Sequence, residues 1–205
     1  MVFESRYVDY CVNRIRMLKF FNVIPLIVFD GGYLPSKAGT EAEREERRKE
    51  NRIKGIALLR EGKKKQAVEF FQKCVDVTPE MAFQFIKALR AENIQYVVAP
   101  YEADAQLAYL LRTGKASAVV TEDSDLLVFG CERVIFKLDA YGAGVEVLRD
   151  RFAAVKEVSL VGWTDDQLRQ MCILSGCDYL PSIPGMGLKT AHKLLRKYKT
   201  AEKVG

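Results

Sequence analysis

Three short apolar runs, at residues 24–29, 96–99 and 118–120, are separated by stretches whose apolar positions recur every three or four residues. This alternation constrains the fold more than any other feature of the chain. Strands separated by helices pair in parallel, because a crossover must carry the chain back before the next strand can begin. A continuous run such as Leu26-Ile27-Val28-Phe29 fits a strand covered on both faces. The spacing of Val8, Cys11, Val12, Ile15, Leu18 and Phe21 predicts a first helix. Thr78 followed by Pro79 reads as an N-cap with proline at the first helical position, opening a helix to about Ala91. Further helices are expected at 103–111, 149–157, 164–174 and 188–198, and a fourth strand at 133–137. The expected fold class is α/β, a parallel twisted sheet with helices on both faces. Residues 40–71 are rich in Arg, Lys and Glu with sparse apolar positions, and predict two exposed helices interrupted at Gly55 and Gly62.

Composition narrows the chemistry. A length of 205 residues, 49% hydrophobic and 29% charged, suits one compact domain with an appendage. No apolar run approaches the roughly 18 to 20 residues of a membrane span, and the N-terminus lacks the pattern of a secretory signal. A soluble, intracellular protein without membrane partners is expected. Five cysteines, odd in number and without a CxxC pair, indicate reduced thiols and not a disulfide framework or zinc site. His192 is the one histidine, so triads and histidine-rich metal sites lose their essential part. Any chemistry must run on carboxylates.

Those carboxylates are not scattered. Asp30 ends the first apolar run, Glu102 and Asp104 follow the second, and Asp123 and Asp125 follow the third. In a parallel sheet this is the edge where ligands collect. Asp178 lies beyond a further helix and needs tertiary folding to join them. For a lone aspartate after a strand, a helix cap or turn is the plainer role; recurrence at three strand ends argues for more. Crowded carboxylates repel unless cations neutralise them, and hard oxygen donors at this density suit Mg²⁺ or Mn²⁺. The net charge of +5 is also unevenly spread: residues 37–73 carry twelve Lys/Arg against seven acids, residues 187–205 six against one, and residues 74–186 ten against sixteen. Two basic arms around an acidic middle fit a phosphate-backbone binder whose acids hold divalent cations.

The segments Val97-Val98-Ala99-Pro100-Tyr101-Glu102-Ala103-Asp104-Ala105-Gln106, Thr121-Glu122-Asp123-Ser124-Asp125 and Ser175-Gly176-Cys177-Asp178-Tyr179, in this order, resemble the flap endonuclease (XPG-type) family of structure-specific 5′ nucleases. The resemblance runs over essentially the whole chain. It implies a PIN-like 5′ nuclease core spanning 1–205, a helical arch at 37–73 and a helix-two-turn-helix DNA-binding element at 164–205. It implies two Mg²⁺ ions, for which Mn²⁺ can substitute, held by Asp30, Glu102, Asp104, Asp123, Asp125 and Asp178, the first four near one ion and the later ones toward the second. Lys37 and Arg44 match the catalytic basic residues at the base of the arch. Arg47, Arg48, Arg52 and Lys63 to Lys65 read first as a solvated charged face and second as backbone contacts, with Arg47 and Arg48 kept as DNA-binding candidates.

Gly185-Met186-Gly187 just before a helix lets backbone N–H groups approach a phosphate. Alone it is a turn; by the resemblance it is where the family grips duplex DNA, with Gly185, Gly187, Lys189 and Lys193 at the phosphates and Ser182 at a K⁺ ion. The implied activity is Mg²⁺-dependent 5′–3′ exonuclease and flap cleavage in DNA repair, mismatch repair and recombination, in the nucleus. The implied substrates are DNA with 5′ ends, flaps, nicks or gaps; repair and replication proteins are possible partners that the chain does not identify. The family's glycine-containing N-terminal segment and first buried strand, with a further aspartate, have no match before Met1. The expectation is therefore a core lacking its first strand and ending just after the DNA-gripping helix, with a non-catalytic DNA-binding remnant as the alternative. A phosphatase of the haloacid dehalogenase type, suggested by Phe29-Asp30-Gly31, ranks far below because Gly32 stands where its second aspartate belongs.

Overall fold

The computed structural model describes residues 6–204. By contact density the chain divides into two compact units, Leu34–Gln84 and the remainder, Met1–Tyr33 with Phe85–Gly205. The elements in order are α1 (Arg6–Phe20), β1 (Leu26–Phe29), α2 (Ala38–Arg60), α3 (Lys64–Gln72), α4 (Pro79–Ala91), β2 (Gln95–Val98), α5 (Ala103–Arg112), β3 (Val119–Val120), α6 (Asp125–Val128), β4 (Arg133–Phe136), β5 (Val145–Leu148), α7 (Asp165–Ser175) and α8 (Leu188–Tyr198). No helix among the described residues is long and apolar enough to cross a membrane.

In the larger unit, β1 and β2 pair in parallel with Leu26 opposite Gln95 and Phe29 opposite Val98. β3 and β4 also pair in parallel, with Val119 opposite Val134. The expected α/β class with parallel pairing is what the fold shows, and the described strands fall into two sheets, one of β1 and β2 and one of β3, β4 and β5. α5 contacts both β1 and β3 and so links them. β5, for which the sequence alone predicts no strand, runs antiparallel to β4 with Arg133 opposite Leu148. Its alternating Val145-Glu146-Val147-Leu148 suits an edge strand once β4 is present to pair with it. Residues 149–154 form a 3-10 helix where an α-helix to residue 157 was expected. This short segment offers no buried face, and such helices gain little from packing. The Arg149 side chain is instead drawn to the Leu127 carbonyl and the Asp165 carboxylate.

The strands start and stop for local reasons. Pro25 has no N–H for a ladder, so β1 begins at Leu26 and not at Ile24, which is 88% exposed. α1 and α4 end with Asn22 and Asn93 in left-handed conformation. Val23 N–H then bonds to Leu18 O, and Ile94 N–H to Leu89 O, the closing pattern that turns a helix into an outgoing strand. Ile15, Leu89 and Ile94 are buried together against Ile27, Phe29, Phe85 and Tyr96. The second sheet has its own core of Ala108, Val119, Leu126, Cys131 and Val134. α7, opened by a reciprocal capping box between Thr164 and Gln167, packs on α8 through Met171, Ala191 and Leu195.

In the smaller unit α2 runs unbroken through Gly55 and stops at Gly62, which takes a positive φ of 77°. Gly55 does not interrupt the helix; the Phe71 ring of α3 lies where its side chain would be. Ala67 is fully buried. Cys74 Sγ donates to the Arg48 carbonyl, and the Arg48 guanidinium pairs with Asp76 at 3.4 Å.

At the end of β1 the backbone comes unusually close to its neighbour. Gly31 N–H donates to Tyr101 O at 2.6 Å and Gly32 N–H to Pro100 O at 2.9 Å. A Cβ on Gly31 would fall inside the Ala99 carbonyl oxygen, whereas one on Gly39 in α2 would meet nothing within 4 Å. Gly31→Ala should therefore lower the unfolding free energy by about 1–3 kcal/mol, and Gly39→Ala should raise it by about 0.5–1 kcal/mol, both read from urea denaturation curves.

Candidate functional site

The carboxyl ends of β1, β2 and β3 carry the acids, and the hydrogen bonds around them show how each is set. Asp30 Oδ1 accepts the Ala103 N–H at 2.7 Å, so the residue after β1 caps the helix that follows β2. Glu102 occupies the N-cap position of α5 without a side-chain bond to that helix. Its Oε2 instead accepts the Tyr179 hydroxyl at 3.0 Å. After β3, Thr121 Oγ1 accepts the Asp123 N–H at 3.0 Å and Asp123 Oδ1 accepts the Asp125 N–H at 2.9 Å, coiling residues 121–125 into the first turn of α6. Glu122 is spent on structure, accepting the Lys137 N–H at 2.9 Å.

Asp104, half-buried in the first turn of α5, registers the crowding. Its carboxyl is pushed up to about 6, first by burial and then by the charges of Asp123, Asp30, Glu102 and Asp125. The structure thus brings five of the six acids singled out in the sequence into one electrostatic group. Asp178 is not among the charges that act on Asp104. It sits at the tip of a tight turn closed by an antiparallel bridge between Cys177 and Leu180, and its neighbour Tyr179 reaches Glu102. Among the described residues, no three Asp, Glu, His or Cys side chains close into a set at metal-ligand distance. The donor set itself, all oxygen and strongly anionic, suits a hard cation.

The basic candidates divide between the units. Lys37 ends the 3-10 turn Pro35–Lys37 and N-caps α2. Arg44 pairs with Glu41 at 2.7 Å and Arg47 with Glu43 at 3.6 Å, one turn apart on the same helix. Arg48, 29% exposed and bound to Asp76, serves the packing of its own unit, which favours the structural role for that residue. In the larger unit, Gly185 takes a φ of 76° and Gly187 N-caps α8 with no side-chain bond. The first N–H groups of α8 therefore carry no cap from the Gly187 position, and Lys189 and Lys193 are exposed on that helix and Ser182 before it. His192, also on α8, stacks its ring on Trp163 at 4.7 Å, and its Nε2 lies 2.8 Å from the Ser159 carbonyl oxygen. Tyr179, which directly follows Asp178, has no local sequence signal of a role, and only the fold brings its hydroxyl to Glu102.

Comparison with known proteins follows the same segments. The XPG N-terminal domain family matches residues 1–51 and the XPG I-region family residues 93–178. Exonuclease 1 of Oryza sativa subsp. japonica is 50% identical over 200 residues, covering 98% of this chain and 24% of that protein. Exonuclease 1 of Xenopus laevis is 51% identical over 192 residues, covering 94% of this chain and 26% of that protein. The chain thus spans about a quarter of the length of these relatives. Among solved structures, the catalytic core of Rad2 in complex with DNA substrate superposes with a TM-score of 0.69 at 25% identity, over 94% of this chain and 53% of that one.

The raised Asp104 has a consequence for stability. The native state binds its proton more tightly than the unfolded chain does, so the electrostatic cost of ionising it is absent below pH 3.8 and complete above about 6. In EDTA, the melting temperature of the parent should fall relative to Asp104→Asn as the pH rises through this window, by a few degrees, and run parallel to it above.

Proposed function

Because the chain belongs to the XPG family of structure-specific nucleases, we propose that its carboxylate edge hydrolyses DNA phosphodiesters near 5′ ends with the help of two divalent ions, Mg²⁺ or Mn²⁺. The observation that carries this reading is the electrostatic group around Asp104, in which carboxylates from three strand ends crowd one half-buried acid and hold its proton on. Asp30, Glu102, Asp104 and Asp123 would hold one ion, with Asp125 and Asp178 toward the second. When bound, such ions neutralise the carboxylates, lower the pKa of a bound water and polarise the scissile phosphate.

The chain's own residues do the rest. Asp30 keeps one oxygen on the Ala103 N–H and so fixes the start of α5, which carries Glu102 and Asp104. Asp104 ionises near pH 6, which ties cation affinity to the same pH range. Lys37 and Arg44 are proposed to stabilise negative charge developing on the phosphate. Farther along, the uncapped start of α8, with Gly185, Gly187, Lys189 and Lys193, suits a backbone phosphate of the duplex, and Ser182 with nearby carbonyls suits K⁺. Arg47 would add a backbone contact. Such contacts position DNA without reading sequence. Flaps, nicks, gaps and recessed 5′ ends as substrates, a role in DNA repair, mismatch repair and recombination, and a nuclear location belong to the same proposal.

Three measurements test it. Single-turnover assays on 5′-labelled flap and recessed-end duplexes should give product with Mg²⁺ and none with EDTA; binding without product would leave a DNA-binding module and remove the nuclease. Lys37→Ala and Arg44→Ala should slow cleavage by about 10²–10³-fold with little loss of affinity, while Lys189→Ala should weaken binding to all sequences and reduce the salt slope by roughly one. By calorimetry, Asp123→Ala and Asp125→Ala should lose Mn²⁺ affinity and His192→Ala should keep it.

A further inference from the structure

The hydrogen bond from the Tyr179 hydroxyl to Glu102 Oε2 spans 77 residues of sequence and joins the loop after α7 to the start of α5. Its setting explains why a bond is needed there. α7 is fixed by its capping box and by Met171 in the α7–α8 core. At Gly176 the chain leaves that helix with φ +122°, a conformation that reverses its course. Cys177 and Leu180 then bridge across a tight turn whose two tip residues are Asp178 and Tyr179. Little apolar burial holds the turn in place: Leu180 is 59% exposed, Tyr179 is 39% exposed, and residues 181–185 are exposed after it.

Glu102 is available for this contact through a division of labour at α5. An acidic residue at the N-cap position would ordinarily turn its carboxylate onto the first free N–H groups of its own helix. Here Asp30 takes the Ala103 N–H from the neighbouring strand end, and Glu102 makes no capping bond. The Tyr179 hydroxyl donates to this carboxylate a charge-assisted bond of ordinary length.

We propose that Tyr179 is a positioning residue of the metal centre, clasping the turn that carries Asp178 to Glu102 and fixing the plane of the Glu102 carboxylate. The proposal rests on the metal-dependent reading of the carboxylate edge. It also bears on Asp178, whose turn no local sequence feature ties to the strand ends: the hydroxyl of the next residue joins that turn to the start of α5. Removal of a hydrogen-bond partner that orients a metal ligand commonly lowers metal affinity about 10–100-fold.

Tyr179→Phe keeps the ring and removes only the hydroxyl. In the full chain it should weaken Mn²⁺ binding about tenfold by titration calorimetry and speed amide hydrogen exchange of the segment 176–181. Exchange elsewhere and the melting temperature should stay as in the parent. Asp178→Asn should cost less in the Tyr179→Phe background than alone, since the clasp that places Asp178 is already open. Unchanged Mn²⁺ affinity, or unchanged exchange at 176–181, would overturn the proposal. A parent chain that binds no Mn²⁺ would instead remove the metal reading, and faster exchange in Tyr179→Phe would then still support the clasp itself. If exchange rises throughout the chain, the hydroxyl supports the fold at large and the proposal fails.

Discussion

The 2.7 Å hydrogen bond from the Ala103 N–H to Asp30 Oδ1 joins the end of β1 to the helix that follows β2. Much of the larger unit depends on it. The two strands are already in register, but their ends are drawn together by the Gly31 and Gly32 N–H groups bonding to the Pro100–Tyr101 loop. The Asp30 cap then sets where α5 begins. α5 is the element that contacts both sheets, so its start fixes Glu102 and Asp104 relative to Asp123 and Asp125 across the gap between them. A capping interaction of a kind worth about 1 kcal/mol elsewhere thus positions a whole constellation.

That constellation opposes folding. Burial and four neighbouring negative charges make Asp104 reluctant to ionise, and such a group raises the energy of the native state whenever the pH forces its proton off. Hydrogen bonds hold three of these acids against the repulsion: Asp30 on Ala103, Glu102 on Tyr179, Asp123 on Asp125. Crowding kept in this way is characteristic of functional sites.

Several elements were legible along the chain because their signals are local. Thr78-Pro79 opens α4 where the cap and proline rule puts it, with the Met81 N–H on Thr78 Oγ1 at 3.3 Å. Thr164 caps α7, and α8 spans Leu188–Tyr198 as its apolar spacing implies. Other features depend on partners distant in sequence. Val145–Leu148 becomes a strand because β4 offers an edge; residues 149–154 tighten into a 3-10 helix, with the Arg149 side chain engaged at Leu127 and Asp165. Gly55, read as a break, is the place where the Phe71 ring meets α2.

Residue types and their spacing determined the α/β alternation and the arrival of acids at three successive strand ends, since both follow from periodicity and from where apolar runs stop. They also excluded histidine chemistry, there being a single histidine, which the fold uses in a stack on Trp163. Only the tertiary structure decided that the strands form two sheets bridged by α5, that Asp30 caps another strand's helix, and that Tyr179 brings the Asp178 turn to Glu102. The physical reason is range. Periodicity and capping act over a few residues, whereas a hydrogen bond or a repulsion between carboxylates depends on distances that exist only once segments 70 or more residues apart have packed together.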